Sequence, residues 1–596
     1  MNQSRTTSLE PFVLSNVAIV ASLILYVIFA ALSQAAGERP NIIILLTDDQ
    51  GYGDLGYHGN TDIKTPNIDR FAQESVVFER FYVSPVCAPT RASLLTGRYN
   101  YRTGVTDTWK GGAIMHQDEY TLAEALSDAG YATGLFGKWH LGDNYPYRPQ
   151  DQGFKKVLMH PGGGIGQPSD VPGNSYFDPT LLEDGVGEKF SGYCMDVYTD
   201  AALEFIEANR ESPFFVYLAT NTPHTPLQVP ESYTAPYLAA GLPVKTSKIY
   251  GMVSNIDHNF KRVLDKLDAL SLSNNTIVIF MSDNGPRIFS ERRHRAGLRG
   301  EKSDIYEGGI RSPFFMRWPE RFKQSQTIAI KAAHIDIMPT VLAATRHQHA
   351  LPATFDGRNL LPLIEDPGAI LAERTLYFQW HRGYKPNKFQ NFTAIGSRYK
   401  LLQASNKFDQ TQKPVFELYD LEEDPGETRN IAPTQPKITE CMRAEYLDWL
   451  NDVSSSRGYP EMPAWVGSPR ENPTLLTHQD RRGIGSWGND SYHSDNYWPI
   501  RILHRSTYRI SLDLYAPNRT SGIATIKIGN QTFDKATHKG DTIVKFESIF
   551  LEKQDAMLSA WIDTNNQKTG PRFVTIENGM TSLDAPKGKI ITIEVQ

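Results

Sequence analysis

Four short apolar runs punctuate the first half of the chain, and each breaks into a polar cluster. Asn41-Ile42-Ile43-Ile44-Leu45-Leu46 leads into Thr47-Asp48-Asp49-Gln50-Gly51, and Tyr131-Ala132-Thr133-Gly134-Leu135-Phe136 into Gly137-Lys138-Trp139-His140-Leu141-Gly142. Phe214-Phe215-Val216-Tyr217-Leu218 leads into Asn221-Thr222-Pro223-His224, and Thr276-Ile277-Val278-Ile279-Phe280-Met281 into Ser282-Asp283-Asn284-Gly285. Continuous β-branched and aromatic runs of this length predict strands buried on both faces, as in parallel sheets. Helical patterns lie between them, at 121–129 and 198–208. Strands alternating with helices predict an α/β layer fold, whose functional groups gather at the carboxyl ends of the strands. The four polar clusters therefore point to one crevice.

The two ends of the chain read differently. Residues 17–32 are uncharged and largely apolar, and Ser33-Gln34-Ala35-Ala36-Gly37 follows. Small residues at Ser33 and Ala35 suit signal-peptidase cleavage, and Arg5 supplies a positive flank. Residues 1–36 are thus expected to be a signal peptide, giving an exported, periplasmic or secreted protein. A run of sixteen is short for a spanning helix, so a membrane anchor is expected only if the segment stays uncleaved. At the other end, glycine, serine and aromatic residues crowd 483–498. Period-two runs follow at 507–514, 522–528, 541–551, 556–562 and 572–577. They predict an accessory antiparallel β-sandwich over 480–596. Such a module either binds carbohydrate, with exposed Trp487 or Trp498 stacking on sugars, or caps the catalytic domain.

A chain of 596 residues exceeds one hydrophobic core and calls for several units. Hydrophobic residues make up 40% of it and charged residues 21%, which is ordinary for a soluble protein. A net charge of -6 gives no electrostatic case for nucleic acid. Three cysteines, Cys87, Cys194 and Cys441, exclude a disulfide scaffold or a zinc cluster. Cys87 lies in Ser84-Pro85-Val86-Cys87-Ala88-Pro89-Thr90-Arg91. Taken alone it is a buried structural thiol or a reactive residue. A cysteine-phosphatase loop needs five residues between Cys and Arg, and here there are three. Asp48, Asp49, Asp283 and Asn284 offer only hard oxygen ligands, which suit calcium or magnesium over zinc. An isolated Asp-Asp is otherwise a turn or cap pair. Lys138 and His140, two apart on an extended segment, face one side.

The spelling Cys87-x-Pro89-x-Arg91, followed by Ala92-Ser93-Leu94-Leu95-Thr96-Gly97-Arg98, resembles the signature of the type I sulfatases of the alkaline phosphatase superfamily. Thr90 stands where many members have serine. The Gly137–Gly142 segment fits the resemblance, as does Arg299-Gly300-Glu301-Lys302, where Glu301 replaces a common glycine. The resemblance runs from about Pro40 to about Pro436. It implies a large mixed, mostly parallel sheet flanked by helices over 37–380, and a smaller antiparallel subdomain over 381–470. It also implies hydrolysis of sulfate monoesters, either aryl sulfates or sulfated carbohydrates. In that family a formylglycine-generating enzyme oxidises the cysteine to formylglycine (3-oxoalanine), whose hydrated form is the nucleophile. By resemblance Ca²⁺, with Mg²⁺ as the alternative, is held by Asp48, Asp49, Asp283, Asn284 and an oxygen of the modified residue 87. Arg91 and Lys138 would hold the hydrated aldehyde, and His224 or Lys302 would protonate the departing alcohol. His140 would take the proton whose loss expels sulfate. Two rival readings remain: a formylglycine-dependent phosphonate or phosphodiester hydrolase, and an inactive carbohydrate-binding relative. The intact acidic and basic set speaks against the second.

Overall fold

The computed structural model describes residues 39–287, 292–348, 350–351, 353–366, 368–404, 413–483, 496–564 and 567–579. The apolar run 17–32 and Trp487 lie outside the described residues. Among the described residues, no helix is long and apolar enough to cross a membrane.

Each of the four apolar runs is a strand: Asn41–Thr47, Ala132–Lys138, Phe214–Ala219 and Thr276–Ser282. They sit side by side in a ten-stranded sheet. Its order is Gln326–Ile328, Val76–Phe78, Phe314–Arg317, Thr276–Ser282, Asn41–Thr47, Phe214–Ala219, Ala132–Lys138, Lys156–His160, Thr180–Glu183, Val186–Lys189. The sheet is parallel through its centre and turns antiparallel at Phe314–Arg317 and at Thr180–Glu183. Leu46 lies opposite both Ala219 and Met281, and Gly137 opposite Ala219. All four carboxyl ends therefore finish at the same edge.

Burial of both faces explains the continuous apolar runs. Ile42, Ile44 and Leu46 pack with the helices Cys87–Thr96, Leu122–Asp128 and Ile337–Ala344. Ile43 and Leu45 point the other way, onto Pro66–Gln73, Cys194–Ala208 and Val244–Ala269. Alternate side chains of one strand thus serve two cores. Thr121 starts its helix with a reciprocal cap: Glu124 N–H donates to Thr121 Oγ1 at 3.1 Å, and Thr121 N–H to Glu124 Oε2 at 2.9 Å. Gly137 has φ +118°, and a Cβ there would lie 1.9 Å from the Ala219 carbonyl oxygen, so only glycine lets this strand end close.

A second, antiparallel sheet joins Leu376–Gln379, Phe392–Ile395, Tyr399–Gln403 and Glu417–Asp420 in that order. Helix Pro436–Ser455 covers it with Met442, Tyr446 and Leu450. The C-terminal strands form two facing sheets around a common core that includes Ile500, Ile510, Leu512, Ile526 and Leu558. The short strands Ala464–Val466 and Thr474–Leu476 pair into these sheets ahead of the period-two runs. Trp498 corrects an expectation: it is only 2% exposed, within that core, and its Nε1–H donates to the Thr477 carbonyl at 2.7 Å. Its ring is a strut of the sandwich and is closed to a sugar.

Candidate active site

Residue 87 opens the helix Cys87–Thr96, every residue of which is buried. Pro89 sits in the first turn, where a missing N–H costs no helical hydrogen bond. Arg91 is one turn further on, so its side chain rises on the same face as Cys87. The helix N-terminus adds free N–H groups and a positive dipole end, which favour an anion there.

Around this point the strand ends deliver their polar groups. The Arg91 guanidinium donates to Asp283 Oδ2 from Nε at 3.1 Å and from Nη2 at 2.7 Å, and from Nη1 to the Lys138 carbonyl at 2.9 Å. Lys138 Nζ pairs with Asp48 Oδ2 at 2.7 Å, and both side chains are wholly buried. Lys302 pairs with Asp49 Oδ1 at 2.5 Å. Asn284 Nδ2 donates to the same Asp49 oxygen at 2.8 Å. His224 Nε2 lies 3.8 Å from Asp49 Oδ2. His140 Nδ1 lies 3.4 Å from Cys87 Sγ. The structure thus brings Asp48, Asp49, Cys87, Arg91, Lys138, His140, His224, Asp283, Asn284 and Lys302 into one cluster.

Backbone strain marks the same place. Asp49 and His140 both adopt left-handed φ values, +66° and +62°. Such values cost a non-glycine residue energy and persist where surroundings enforce them. Arg293 enforces the first: Nη2 donates to the Asp49 carbonyl at 3.1 Å, while its Nε holds buried Asp54 at 3.0 Å.

The charges are strongly coupled. Burial alone would raise Asp48, yet Lys138, His224, Arg91 and Lys302 outweigh it and hold the carboxyl well below its usual range. Burial also opposes ionisation of Asp49, but Lys302 and His224 keep it low. Burial, then the charge of Asp48, pushes Asp283 up to about 6 despite Arg91. Burial, with Lys138 close by, holds the His140 imidazole well below its usual range, so it is a neutral base. Burial raises the Cys87 thiol against the pull of Lys138 and Lys302.

The donor set fits a hard divalent cation. Asp48, Cys87 and Asp283 present ligand atoms all within 4.8 Å of one another, as do Asp48, Asp49 and His224. Asp48 Oδ1 and Asn284 Oδ1 are buried without a hydrogen-bond partner. Buried oxygens left unsatisfied in this way are what a cation would engage.

A model of the sulfatase family matches residues 40–347. The chain belongs to the sulfatase family. A second model, that of the C-terminal region of N-sulphoglucosamine sulphohydrolase, matches 300–451. The sulfatase is 30% identical to N-acetylgalactosamine-6-sulfatase of Mus musculus over 488 residues, which span 70% of this chain and 91% of the relative. Arylsulfatase A of Bos taurus is 30% identical over 499 residues, 74% of this chain and 93% of that one. Among solved structures, Ps i-CgsB in complex with k-i-k-neocarrahexaose is 27% identical, with a TM-score of 0.62 over 71% of this chain and 95% of that one. The expected enzyme class, a hydrolase of sulfate esters, therefore stands.

The fold also brings in groups to which the sequence reading assigns no role, although it marks Gly162-Gly163-Gly164 and Ser169 as lying in the right region. Thr108 accepts at its carbonyl from His140 Nε2–H at 2.8 Å. Gly163 packs on His140, where a Cβ would meet ring atom Cε1 at 3.0 Å. Ser169 Oγ is buried without a partner beside Gly162. The triple glycine Gly162-Gly163-Gly164 was a visible signal for such close packing.

Proposed function

We propose that this sulfatase hydrolyses sulfate monoesters of carbohydrates after Cys87 is converted to formylglycine, with Ca²⁺ held by Asp48, Asp49, Asp283, Asn284 and residue 87. The observation that carries the reading is the convergence of three buried acids and three cations on the N-terminus of the Cys87–Thr96 helix. The thiol itself is unsuited to attack, because burial raises it and a protonated thiol is a poor nucleophile. Formylglycine would supply an aldehyde-derived hydroxyl as nucleophile, and the cation would supply Lewis-acid polarisation.

The chain's own residues then divide the work. Arg91 is spent on Asp283 and the Lys138 carbonyl, so it fixes the acid and the strand end in place. Lys138 and Lys302 offer fixed positive charge to the sulfate oxygens at little reorganisation cost. His140 donates Nε2–H to Thr108, which leaves the Nδ1 lone pair facing residue 87 to accept a hydroxyl proton. His224 and Lys302 keep 13% and 12% of their side chains exposed, whereas Arg91 and Lys138 have none. The opening, and with it the leaving alcohol, is therefore on the His224–Lys302 side. His224 donates Nδ1–H to the Thr225 carbonyl at 2.7 Å and burial lowers its imidazole, so the neutral ring leaves a lone pair on Nε2, and the Lys302 ammonium is the group that carries a proton to the departing oxygen.

A sugar substrate is supported by the relatives that act on N-acetylgalactosamine-6-sulfate groups by name, and by the rim beside Thr108. There the exposed guanidinium of Arg382 lies 5.4 Å from the half-buried Trp109 ring, a cationic edge suited to a sulfated saccharide, while Trp380 beneath it is buried and closed to a sugar. Export, from the segment 1–36, completes the reading. Mass spectrometry of the tryptic peptide 81–91 tests it: conversion lowers the mass by that of H₂S less one oxygen. An unmodified thiol in active enzyme overturns the formylglycine assignment. Faster turnover of an aryl phosphate diester than of an aryl sulfate would favour the phosphodiesterase rival.

A further inference from the structure

The segment 477–483, which follows strand Thr474–Leu476 of the sandwich, leaves that domain and enters the active site. Two anchors hold its start in the sandwich: Trp498 on the Thr477 carbonyl, and Tyr515 OH against His478 Nε2 at 2.9 Å. Its far side is sewn to the loop 108–111. Gly111 N–H donates to the Gln479 carbonyl at 3.0 Å, Arg482 Nη2 to the Gly111 carbonyl at 3.1 Å, and Lys110 Nζ to the Gly483 carbonyl at 3.0 Å.

Between these ties lies Gln479, 3% exposed. Its Nε2 donates to the Thr108 carbonyl at 2.7 Å, and the same nitrogen stands 3.2 Å from His140 Nε2. A carbonyl oxygen only accepts, so the Thr108 oxygen holds two donors, one from Gln479 and one from His140. From the other side, Asp107 Oδ1 fixes the Thr108 peptide, accepting Thr108 N–H at 2.7 Å, Arg382 Nη1 at 2.7 Å and Trp380 Nε1 at 3.1 Å. Without the amide, the Thr108 oxygen is held from one side only, and the Nδ1 lone pair is aimed less tightly at residue 87.

We propose that Gln479 is a positioning residue for His140: from the C-terminal domain it pins the Thr108 carbonyl that fixes the imidazole's tautomer and direction. The C-terminal sandwich is thereby a structural part of the catalytic site. This inference rests on the proposed role of His140 as the proton acceptor at residue 87.

The test compares wild type with Q479M, which keeps length and volume but removes the donor. Q479N, whose amide is one methylene short of Thr108, repeats the test should Q479M fold poorly. Four quantities are read: melting temperature, conversion of residue 87 by peptide mass, kcat and KM on an aryl sulfate, and the His140 signals in histidine-selective ¹⁵N spectra, assigned with H140N. The expected result is a melting temperature and residue-87 conversion at wild-type level, kcat lower by about 10- to 100-fold, and KM changed by less than about threefold. The His140 signals move from a single Nε2–H tautomer to a mixture. Wild-type kcat in both variants with unmoved His140 signals overturns the proposal, as does a kcat loss that merely tracks lost folded protein. If wild type itself cleaves no sulfate ester, the proposed function fails, while the ¹⁵N spectra still decide whether Gln479 orients His140.

Discussion

Replacing Arg91 by methionine isolates the charge that the site must hold in the absence of water. Methionine keeps length and most of the volume, so packing changes little. Arg91 and Asp283 are both wholly buried, and beyond Arg91 the Asp283 carboxylate receives the Asp49 N–H at 3.3 Å. Breaking a buried pair by removing one partner costs about 3–5 kcal/mol, and the Lys138 carbonyl loses a donor worth about 1 kcal/mol. The sum, about 4–6 kcal/mol, lowers the melting temperature of the catalytic unit by on the order of 10 °C. The same change made in a D283N background leaves no orphaned charge, so its cost there falls by about 2–3 kcal/mol. The assay is thermal melting by near-ultraviolet circular dichroism for the four proteins of this cycle. A chelator is present throughout, so that no cation stands in for the guanidinium. If R91M costs as much in the D283N background as in wild type, the argument that buried charge, and not lost packing, sets the penalty is refuted.

On the proposed mechanism Cys87→Ala removes the precursor of the nucleophile, so turnover of an aryl sulfate falls to background while the melting temperature stays within a few degrees; residual turnover above about a hundredth of wild type contradicts the mechanism. Chelation abolishes activity and lowers the melting temperature, and Ca²⁺ restores both; at a hundred times its Kd a cation bound only by the folded chain adds about 2.7 kcal/mol. Burial, then the charge of Asp480, pushes Asp143 up to about 8, and burial raises Asp480 to about 6. Both values exceed those of the unfolded chain, so the folded chain holds more protons between about pH 4 and 8, and stability falls as pH rises through that window. Melting temperatures across that range should show the fall in wild type and a shallower one in D143N; parallel curves reject the assignment. Gly163→Ala sets a methyl 3.0 Å from His140 Cε1. In that variant kcat drops by on the order of 10- to 100-fold with residue 87 still converted, which peptide mass and kinetics report together.

What could be read from the chain was what local chemistry dictates. The runs at 41–46 and 276–281 are buried on both faces, so their composition announces parallel strands, and parallel strands end at one edge. The acids and cations that follow them needed no further information to be placed together. Gln479 was beyond reach for a physical reason: it meets a main-chain carbonyl 371 residues away, and such a contact leaves no pattern in the side chains. Trp498 misled because glycine and serine surround it upstream. The better signal was downstream, where Trp498-Pro499-Ile500-Arg501-Ile502 alternates buried and half-buried positions and sets the indole on the apolar face. The strands Ala464–Val466 and Thr474–Leu476 are three residues each, too short to show a period.

The site's electrostatics would give the proposed cation a second purpose beyond polarisation. Asp48, Asp49 and Asp283 are matched in number by Arg91, Lys138 and Lys302, and each acid is already paired with one of these cations. By itself the cluster is neutral, and a neutral cluster exerts little pull on an anion. A bound divalent ion would bring two charges of excess into a buried volume, where they are poorly screened. A sulfate monoester carries one negative charge, and its leaving oxygen develops more as the bond breaks. The excess then exceeds what the ground state neutralises and is met only as the transition state forms, which is the condition for lowering the barrier instead of merely tightening binding.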